Sequence, residues 1–494
     1  MLKQNESHSK DFTSLNEWLC YLETIHSTEI DLGLARISQV ARKLNIDFSF
    51  ACVITVAGTN GKGTTCAFLE NALLGEEVTS QKVDDTASES DNSKENTRLQ
   101  TVAVYSSPHI EKFNERLRIN KSDIDDQSLI TAFEEIELAR DEISLSYYEY
   151  TTLAAFLVLM KVKPDVIILE VGLGGRLDAT NIIDADVAVI TTIDLDHQAF
   201  LGNDRETIGF EKAGIMRGDQ HIIIGDPNVP QSVLDYAKRI NETTNEVSLQ
   251  LALGKVKVRN KDFFIANDNK SNNPAEPSWQ LQFIEVDKNN QKTQCYLNNL
   301  IATHIPQDNV VTALMVLKQL GVQLTTQKVN RLISNTQVAG RTELFKGKDH
   351  QADKLEHNDL LDTTFTQQCD VMLDVGHNPH AGRYLAEKIA QFKAQNQYQR
   401  IIAVVAMLAD KDIANTLSPF NSAVDEWYVA PLMVPRAATS ELMVKELSHF
   451  TNSINCFDNI TQAFKMANLK SESNDLILVF GSFYTVAEIR QLLI

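Results

Sequence analysis

The sequence predicts an α/β protein, a parallel sheet covered by helices on both faces and followed by a second, smaller α/β domain. Three observations predict it. Strand-like apolar runs alternate with segments of helical period along most of the chain, the pattern of βα units. That pattern breaks after Arg341 and resumes beyond a polar stretch. The 494 residues, 43% of them hydrophobic, suffice for the cores of two or three domains.

The strands of the first part are expected at Phe50 to Ala57, Val102 to Tyr105, Val166 to Val171, Val187 to Ile193 and Ile222 to Ile224. Thr151 to Met160 is apolar on every side and reads as a buried helix. Residues 76–100 turn acidic and Ser-rich without an aromatic side chain, the composition of a mobile surface insertion. Residues 255–297 change to short alternating segments (KVKVRN, DFFIAN, WQLQFIEVD, KTQCYL) parted by Asn and Asp, which predicts a small antiparallel appendage. After the polar stretch from Lys346 to Gln368, VMLDVG, IIAVVAML, EWYVAP and LILVFGS supply the strands of the second domain. The expected domains are residues 1–341 and 342–494.

Charge narrows the partners. Lys and Arg number 46 against 66 Asp and Glu, a net −20 that repels phosphate backbones and anionic lipid, so neither nucleic acid nor membrane is expected. No apolar run approaches the roughly 20 residues needed to cross a bilayer. The first residues, MLKQNESHSKDF, do not read as an export signal. The six cysteines form no CxxC pair and no metal-ligand spacing, which suits a reducing cytoplasm.

The chemistry begins at Gly58-Thr59-Asn60-Gly61-Lys62-Gly63-Thr64-Thr65, which follows an apolar strand and opens a helix-period segment. Such a loop binds phosphate: its glycines let N–H groups turn toward a polyphosphate, the helix start adds positive potential, and Lys62 brings a mobile cation. The generic pattern has Ser or Thr directly after the lysine, whereas here Gly63 intervenes, so a plain Gly-rich turn is the alternative. ATP or GTP is the expected ligand, and with it Mg²⁺, a hard cation that takes oxygen donors.

Candidate ligands lie at strand ends, where ligands of open α/β sheets bind. Glu170 ends DVIILE and opens into a glycine-rich segment, His197 ends VAVITTIDLDH beyond the next strand, and Ser107 follows VAVY. A capping or salt-bridged carboxylate, a packed histidine and a turn serine are the alternatives, and convergence of the three decides. Lys212, in RETIGFEKAGIMR, reads on its own as an exposed helix lysine paired with a nearby glutamate.

GTNGKGTT, YSSPH, YYEYTTL, ILEVGLGGRLDATN, DH, FEKAGI, AGR and LDVGHNPHA occur in one order. Together they resemble the folylpolyglutamate synthase and dihydrofolate synthase family, within the Mur-type ATP-dependent amide ligases. The likeness runs from about Trp18 to Val486. It implies a P-loop ATPase domain of the Mur ligase central-domain type, then a Rossmann-like C-terminal domain. By the same resemblance Thr59, Asn60, Gly61, Lys62, Gly63 and Thr64, with Asn309, Arg341 and Asp374, bind ATP. Ser107, Glu170 and His197 bind Mg²⁺, and a carbamylated Lys212 serves a second Mg²⁺ site; a monovalent cation is a further candidate. Three segments resemble those that bind dihydropteroate: Glu29-Ile30-Asp31-Leu32, Ser146-Tyr147-Tyr148-Glu149 and Leu177-Asp178-Ala179. In them the tyrosines offer stacking faces, and Asp31 and Glu149 offer acceptors for a pterin's amino groups.

The resemblance assigns His377 and Ser482 to glutamate, and on chemical grounds alone His377 is the candidate base. The implied reaction is ATP-dependent: dihydropteroate and L-glutamate give dihydrofolate, and reduced folates receive further glutamates, through an acyl phosphate. A monomer working in the cytoplasm is expected. Folylpolyglutamate synthase alone is one alternative, and a nucleotide-binding regulatory protein without ligase chemistry is another. A cell-wall Mur ligase is disfavoured by the EVGLGGRLDATN and YSSPH segments.

Overall fold

The computed structural model describes residues 12–28, 31–80, 96–241, 255–267, 278–286, 291–347 and 367–494. The chain clusters into two compact units, residues 1–193 with 199–336 and residues 194–198 with 337–494. Among the described residues no helix is long and apolar enough to cross a membrane.

The strands of the first unit are β1 (Cys52–Ala57), β2 (Glu77–Ser80), β3 (Asn96–Leu99), β4 (Val102–Tyr105), β5 (Leu117–Ile119), β6 (Ser122–Asp123), β7 (Val166–Glu170), β8 (Val187–Ile190), β9 (His221–Ile224), β10 (Val256–Val258), β11 (Phe263–Asn267), β12 (Ser278–Val286) and β13 (Lys292–Ile301). Eight of them form one sheet in the order β10-β9-β8-β1-β7-β4-β5-β6. It is parallel from β10 through β4, with β5 and β6 antiparallel at the edge. The central strands are apolar without alternation because both faces are covered. On one face Ile54, Val56, Val104 and Ile168 pack in a cluster with Phe68, Leu69, Val310 and Leu314 from the helices Lys62–Leu73 and Gln307–Gln319. On the other, Val53, Ala103, Ile167 and Leu169 pack with Trp18, Phe133, Leu153 and Phe156. The helix Tyr147–Val162 is buried nearly throughout, as its apolar run predicts.

Two segments pair differently from expectation. Lys257 and its neighbours, read as part of the antiparallel appendage, form β10 and extend the main sheet in parallel beside β9. The appendage is the three-stranded sheet β11-β12-β13, reaching Ile301. The expected insertion at 76–100 begins and ends in the antiparallel pair β2–β3, and its residues 81–95 lie outside the described residues.

The second unit holds β14 (Glu343–Phe345), β15 (Asp370–Asp374), β16 (Ile401–Val405), β17 (Glu426–Val429), β18 (Ile454–Cys456) and β19 (Leu476–Phe480). Their order is β14-β15-β19-β16-β17-β18, with only β14 antiparallel. Leu385, Ile389, Leu417 and Phe420 pack with Ala403, Val405, Trp427 and Phe480 in the core on one face of this sheet.

Candidate active site

From β1 the chain builds β4 and β7 on one side and then crosses to β8 on the other, so the carboxyl end of β1 lies at a topological switch point. The Gly58–Thr65 loop emerges there. Gly61, at φ +86°, is the N-cap of the helix Lys62–Leu73, which has no side-chain cap. The first N–H groups of this helix are therefore left to an anion. A Cβ on Gly58 would stand 1.8 Å from Thr191 Oγ1, and one on Gly61 2.2 Å from Asn309 Oδ1. Both glycines are thus required by close approach. Thr191 and Thr192 brace the loop by donating to Asn60 O at 2.7 and 3.1 Å, while Thr59 N donates to Thr192 O. Lys62 Nζ lies along the loop, donating to Gly58 O at 3.0 Å and Thr59 O at 3.4 Å. Gly63 and Thr64 form the first helical turn.

β7 and β4 bring Glu170 and Ser107 to the same carboxyl edge, with Glu170 in register with Val56 of β1 and Tyr105 in register with Leu169. Glu170 is buried, and its two oxygens lie 3.6 and 3.7 Å from the position of a Cβ on Gly63. A hard oxygen donor therefore faces the first turn of the phosphate loop. Among the described residues no three His, Cys, Asp or Glu side chains group to hold a metal ion. A cation here would combine Glu170 with hydroxyl, phosphate and water oxygens, a donor set that fits Mg²⁺. Tyr148 Oη is buried without a hydrogen-bond partner, and burial pushes the phenol well above its usual pKa, against a smaller downward pull from Ser107.

Sequence reasoning missed what holds Ser107 in place. Arg118 on β5 donates to Ser106 Oγ and Glu115 O at 3.3 Å and to Glu70 Oε2 at 3.1 Å, tying the end of β4 to the phosphate-loop helix. The pairing of Val104 with Arg118 that creates this link is not legible from spacing.

The loop after Glu170 packs against the helix Arg205–Ala213. A Cβ on Gly175 would meet Glu211 O at 2.8 Å and Lys212 Cα at 3.0 Å, and one on Gly214 would meet Arg176 Cα at 2.6 Å. Asn181 donates to Arg176 O and Gly214 O, and Arg176 pairs with Glu211. The two motifs are thus halves of one joint. Lys212 itself is 3% exposed, which corrects the reading of it as a solvated helix lysine.

The segments expected to meet a pterin are engaged in the protein. Glu29 and Ile30 lie outside the described residues. Asp31 pairs with Arg36 at 2.8 Å and His26 at 3.1 Å, and Glu149 pairs with Arg36 while accepting from Ser146 N in a capping box. Leu32 is half-buried. Tyr147 has Arg116 over its ring at 5.7 Å, and Tyr148 stacks on Tyr105. Asp178 accepts from Leu173 N, Thr180 N and Thr180 Oγ1, and so shapes the loop that also carries Leu177 and the buried Ala179. Burial nonetheless raises its carboxyl pKa.

In the second unit the carboxyl ends of β15, β19 and β16 gather a second set. Asp374 is buried and accepts from Thr342 N and Gly376 N. Burial raises its pKa, against the pull of Arg341, whose guanidinium lies 5.5 Å over the Phe483 ring. His377 Nδ1 hydrogen-bonds Val375 O at 2.7 Å, so it carries the proton and Nε2 presents a lone pair. Burial and Lys411 hold the ring at about 4, neutral at physiological pH. Ser482 caps the helix Phe483–Arg490, its Oγ accepting from Tyr484 N and Thr485 N. His197 lies in the segment 194–198 of this unit, at φ +51°. Its neighbour Asp196 pairs with Lys411, a residue not singled out in the sequence although LADKD follows a strand end.

A family model described as the Mur ligase glutamate ligase domain matches residues 361–483. The dihydrofolate synthase/folylpolyglutamate synthase of Haemophilus influenzae is 39% identical over 487 residues, covering 98% of each chain. A solved structure of Escherichia coli FolC in complex with DHPP and ADP superposes with a TM-score of 0.76 at 37% identity, over 97% of both chains. That of the bifunctional folylpolyglutamate synthase/dihydrofolate synthase of Yersinia pestis, complexed with AMPPNP and Mn ion, gives 0.75 at 36% identity over 97% of this chain and 98% of that one.

Proposed function

The chain belongs to the dihydrofolate synthase/folylpolyglutamate synthase family, and on that premise we propose that it joins L-glutamate to dihydropteroate and adds further glutamates to reduced folates. It is an ATP-dependent ligase forming carbon–nitrogen bonds. The observation that carries the proposal is the placement of the Glu170 carboxylate against Gly63, with Ser107 on the same strand edge and the unpartnered Tyr148 hydroxyl 2.7 Å from the position of a Cβ on Gly172. A phosphate loop, a hard oxygen donor and a buried polar group without a partner suit a triphosphate, a divalent cation and an acid to be activated.

A carboxylate resists an amine because its charge repels the attack and oxide is a poor leaving group. Thr59 to Thr64 and the uncapped helix start hold the phosphates, with Asn309, Arg341 and Asp374 completing the nucleotide contacts. Lys62 neutralises charge as the acceptor carboxylate attacks the γ-phosphorus, forming acyl phosphate and ADP. Ser107, Glu170 and His197 would hold Mg²⁺, which would supply charge neutralisation at the phosphates. The glutamate amine then attacks the acyl carbonyl, phosphate departs, and the amine proton passes to a base. His377 Nε2 is our candidate, since the ring is neutral, although the burial that keeps it so also weakens it as a base. Ser482 is assigned to glutamate, and the segments at Glu29 to Leu32, Ser146 to Glu149 and Leu177 to Ala179 to dihydropteroate. For that, Asp31 or Glu149 must exchange Arg36 for the pterin's amino groups.

Carbamylation of Lys212 by carbon dioxide, which releases a proton, is proposed to turn its amine into an anion serving a second Mg²⁺. Intact-protein mass in bicarbonate shows the added carboxylate, and an unmodified lysine rejects that role. A monovalent-ion requirement, a monomeric state and a cytoplasmic setting complete the proposal. Purified protein with ATP, Mg²⁺ and labelled glutamate tests it, acceptor by acceptor. Labelled product from both dihydropteroate and a tetrahydrofolate is expected. Product from tetrahydrofolate alone restricts the protein to polyglutamylation, and no acceptor-dependent ADP release rejects the proposal.

A further inference from the structure

Residues 194–198 cluster with the second unit although their chain neighbours on both sides belong to the first. Within this segment His197 has a left-handed backbone, φ +51°, a conformation uncommon for a side chain bearing a Cβ, so what holds it matters. The contacts run through Asp196. Its Oδ1 accepts from His197 N at 2.8 Å and from Lys411 Nζ at 3.0 Å, and its Oδ2 accepts from Asn378 Nδ2 at 3.0 Å. His377 Nε2 lies 3.8 Å from Oδ2, and Arg383 holds Asp194 at 2.6 Å. The side chains of Asp196 and Lys411 are each 10% exposed. Asn378 cannot turn away, because its Oδ1 caps the helix Pro379–Ala394 by accepting from Ala381 N. Lys411 sits on a loop fixed by the Leu408–Ala437 bridge and by Ala409 N donating to Arg436 O.

We infer that Lys411 is a positioning residue: through Asp196 it holds the left-handed backbone of His197 and so sets the imidazole for the divalent cation. A carboxylate so little exposed needs a paired cation, and this one has a single lysine within salt-bridge distance among the described residues. The inference rests on the assignment of His197 to the metal.

Two readouts on the full-length protein test it: the Mg²⁺ dependence of glutamate-dependent ADP release, and hydrogen exchange of the peptide spanning 194–198. Lys411→Met is expected to raise the half-saturating Mg²⁺ concentration by about 10–100-fold, the usual cost of removing a group that orients a metal ligand. It also speeds exchange of the His197 amide, with little change in the glutamate KM. Lys411→Arg restores part of both. In a His197→Ala background Lys411→Met has no further effect on Mg²⁺ dependence. Unchanged exchange in Lys411→Met overturns the inference, as does a rise in glutamate KM with Mg²⁺ dependence intact, which makes Lys411 a substrate contact. Faster exchange in Lys411→Met, with unaltered Mg²⁺ dependence in His197→Ala, instead removes the metal assignment and the functional claim with it.

Discussion

Replacing Gly61 by Ala isolates the geometry of the phosphate loop. At φ +86° an L side chain costs about 1–2 kcal/mol. The new Cβ also falls 2.2 Å from Asn309 Oδ1, 2.7 Å from its Cγ and 2.8 Å from its Nδ2, so the whole amide must move by more than an ångström. Asn309 is 3% exposed, beside the fully buried Val310 and Val311, and has nowhere to swing. Overpacking of this kind costs about 1–3 kcal/mol, so Gly61→Ala loses about 2–5 kcal/mol in all. Denaturant unfolding measures it, in a Trp427→Phe background where Trp18 and Trp279, both buried in the first unit, report alone. Adding Asn309→Ala removes the collision but not the backbone strain. The double variant should therefore be less damaged than the sum of the singles by about 1–3 kcal/mol. A loss below about 0.5 kcal/mol in Gly61→Ala, or strict additivity with Asn309→Ala, refutes the reasoning.

Three further outcomes follow from the same geometry. Lys62→Met leaves unfolding unchanged, since among the described residues Nζ donates to no more than Gly58 O and Thr59 O, but lowers the rate of acceptor-dependent ADP release by about 10²–10³-fold. Arg118→Ala leaves Glu70, 4% exposed, without its cation and destabilises the first unit by about 3–5 kcal/mol, while Glu70→Gln in the same chain recovers part of it by denaturant unfolding. His377 is half-buried and neutral, its pKa lowered from 6.5 to about 4 by desolvation, so in that window the unfolded chain binds the extra proton. Stability of the second unit therefore falls as pH drops from about 6.5 toward 4, and His377→Gln flattens the slope; a slope of opposite sign contradicts the assignment.

The elements that were legible in sequence are those fixed by local chemistry. β1, its glycine loop and the following helix read directly, because apolar continuity, glycine at φ +86° and helical spacing are all local. The ends of β4 and β7, with Ser107 and Glu170, could be placed on one edge because parallel sheets put their ligands there. What was hidden depends on pairings distant in sequence. Lys257 alternates like an antiparallel strand, yet its partner is Ile223 in a parallel ladder. Lys212 looks solvated in its helix, but Gly175 packs directly over its Cα. Asp31 and Glu149 looked like free acceptors because Arg36, which joins them, lies 113 residues from Glu149. The Asp196–Lys411 pair spans 215 residues, and no local pattern signals it.

The central claim is that the acceptor acid is activated as a mixed anhydride with phosphate before the glutamate amine attacks it. Dihydropteroate carrying heavy oxygen in its carboxylate, incubated with this protein, ATP, Mg²⁺ and glutamate, tests that claim directly by mass analysis of the released phosphate. One heavy oxygen transferred to phosphate per amide formed, with the other kept in the product carbonyl, is the predicted result. Amide formation with unlabelled phosphate would contradict it.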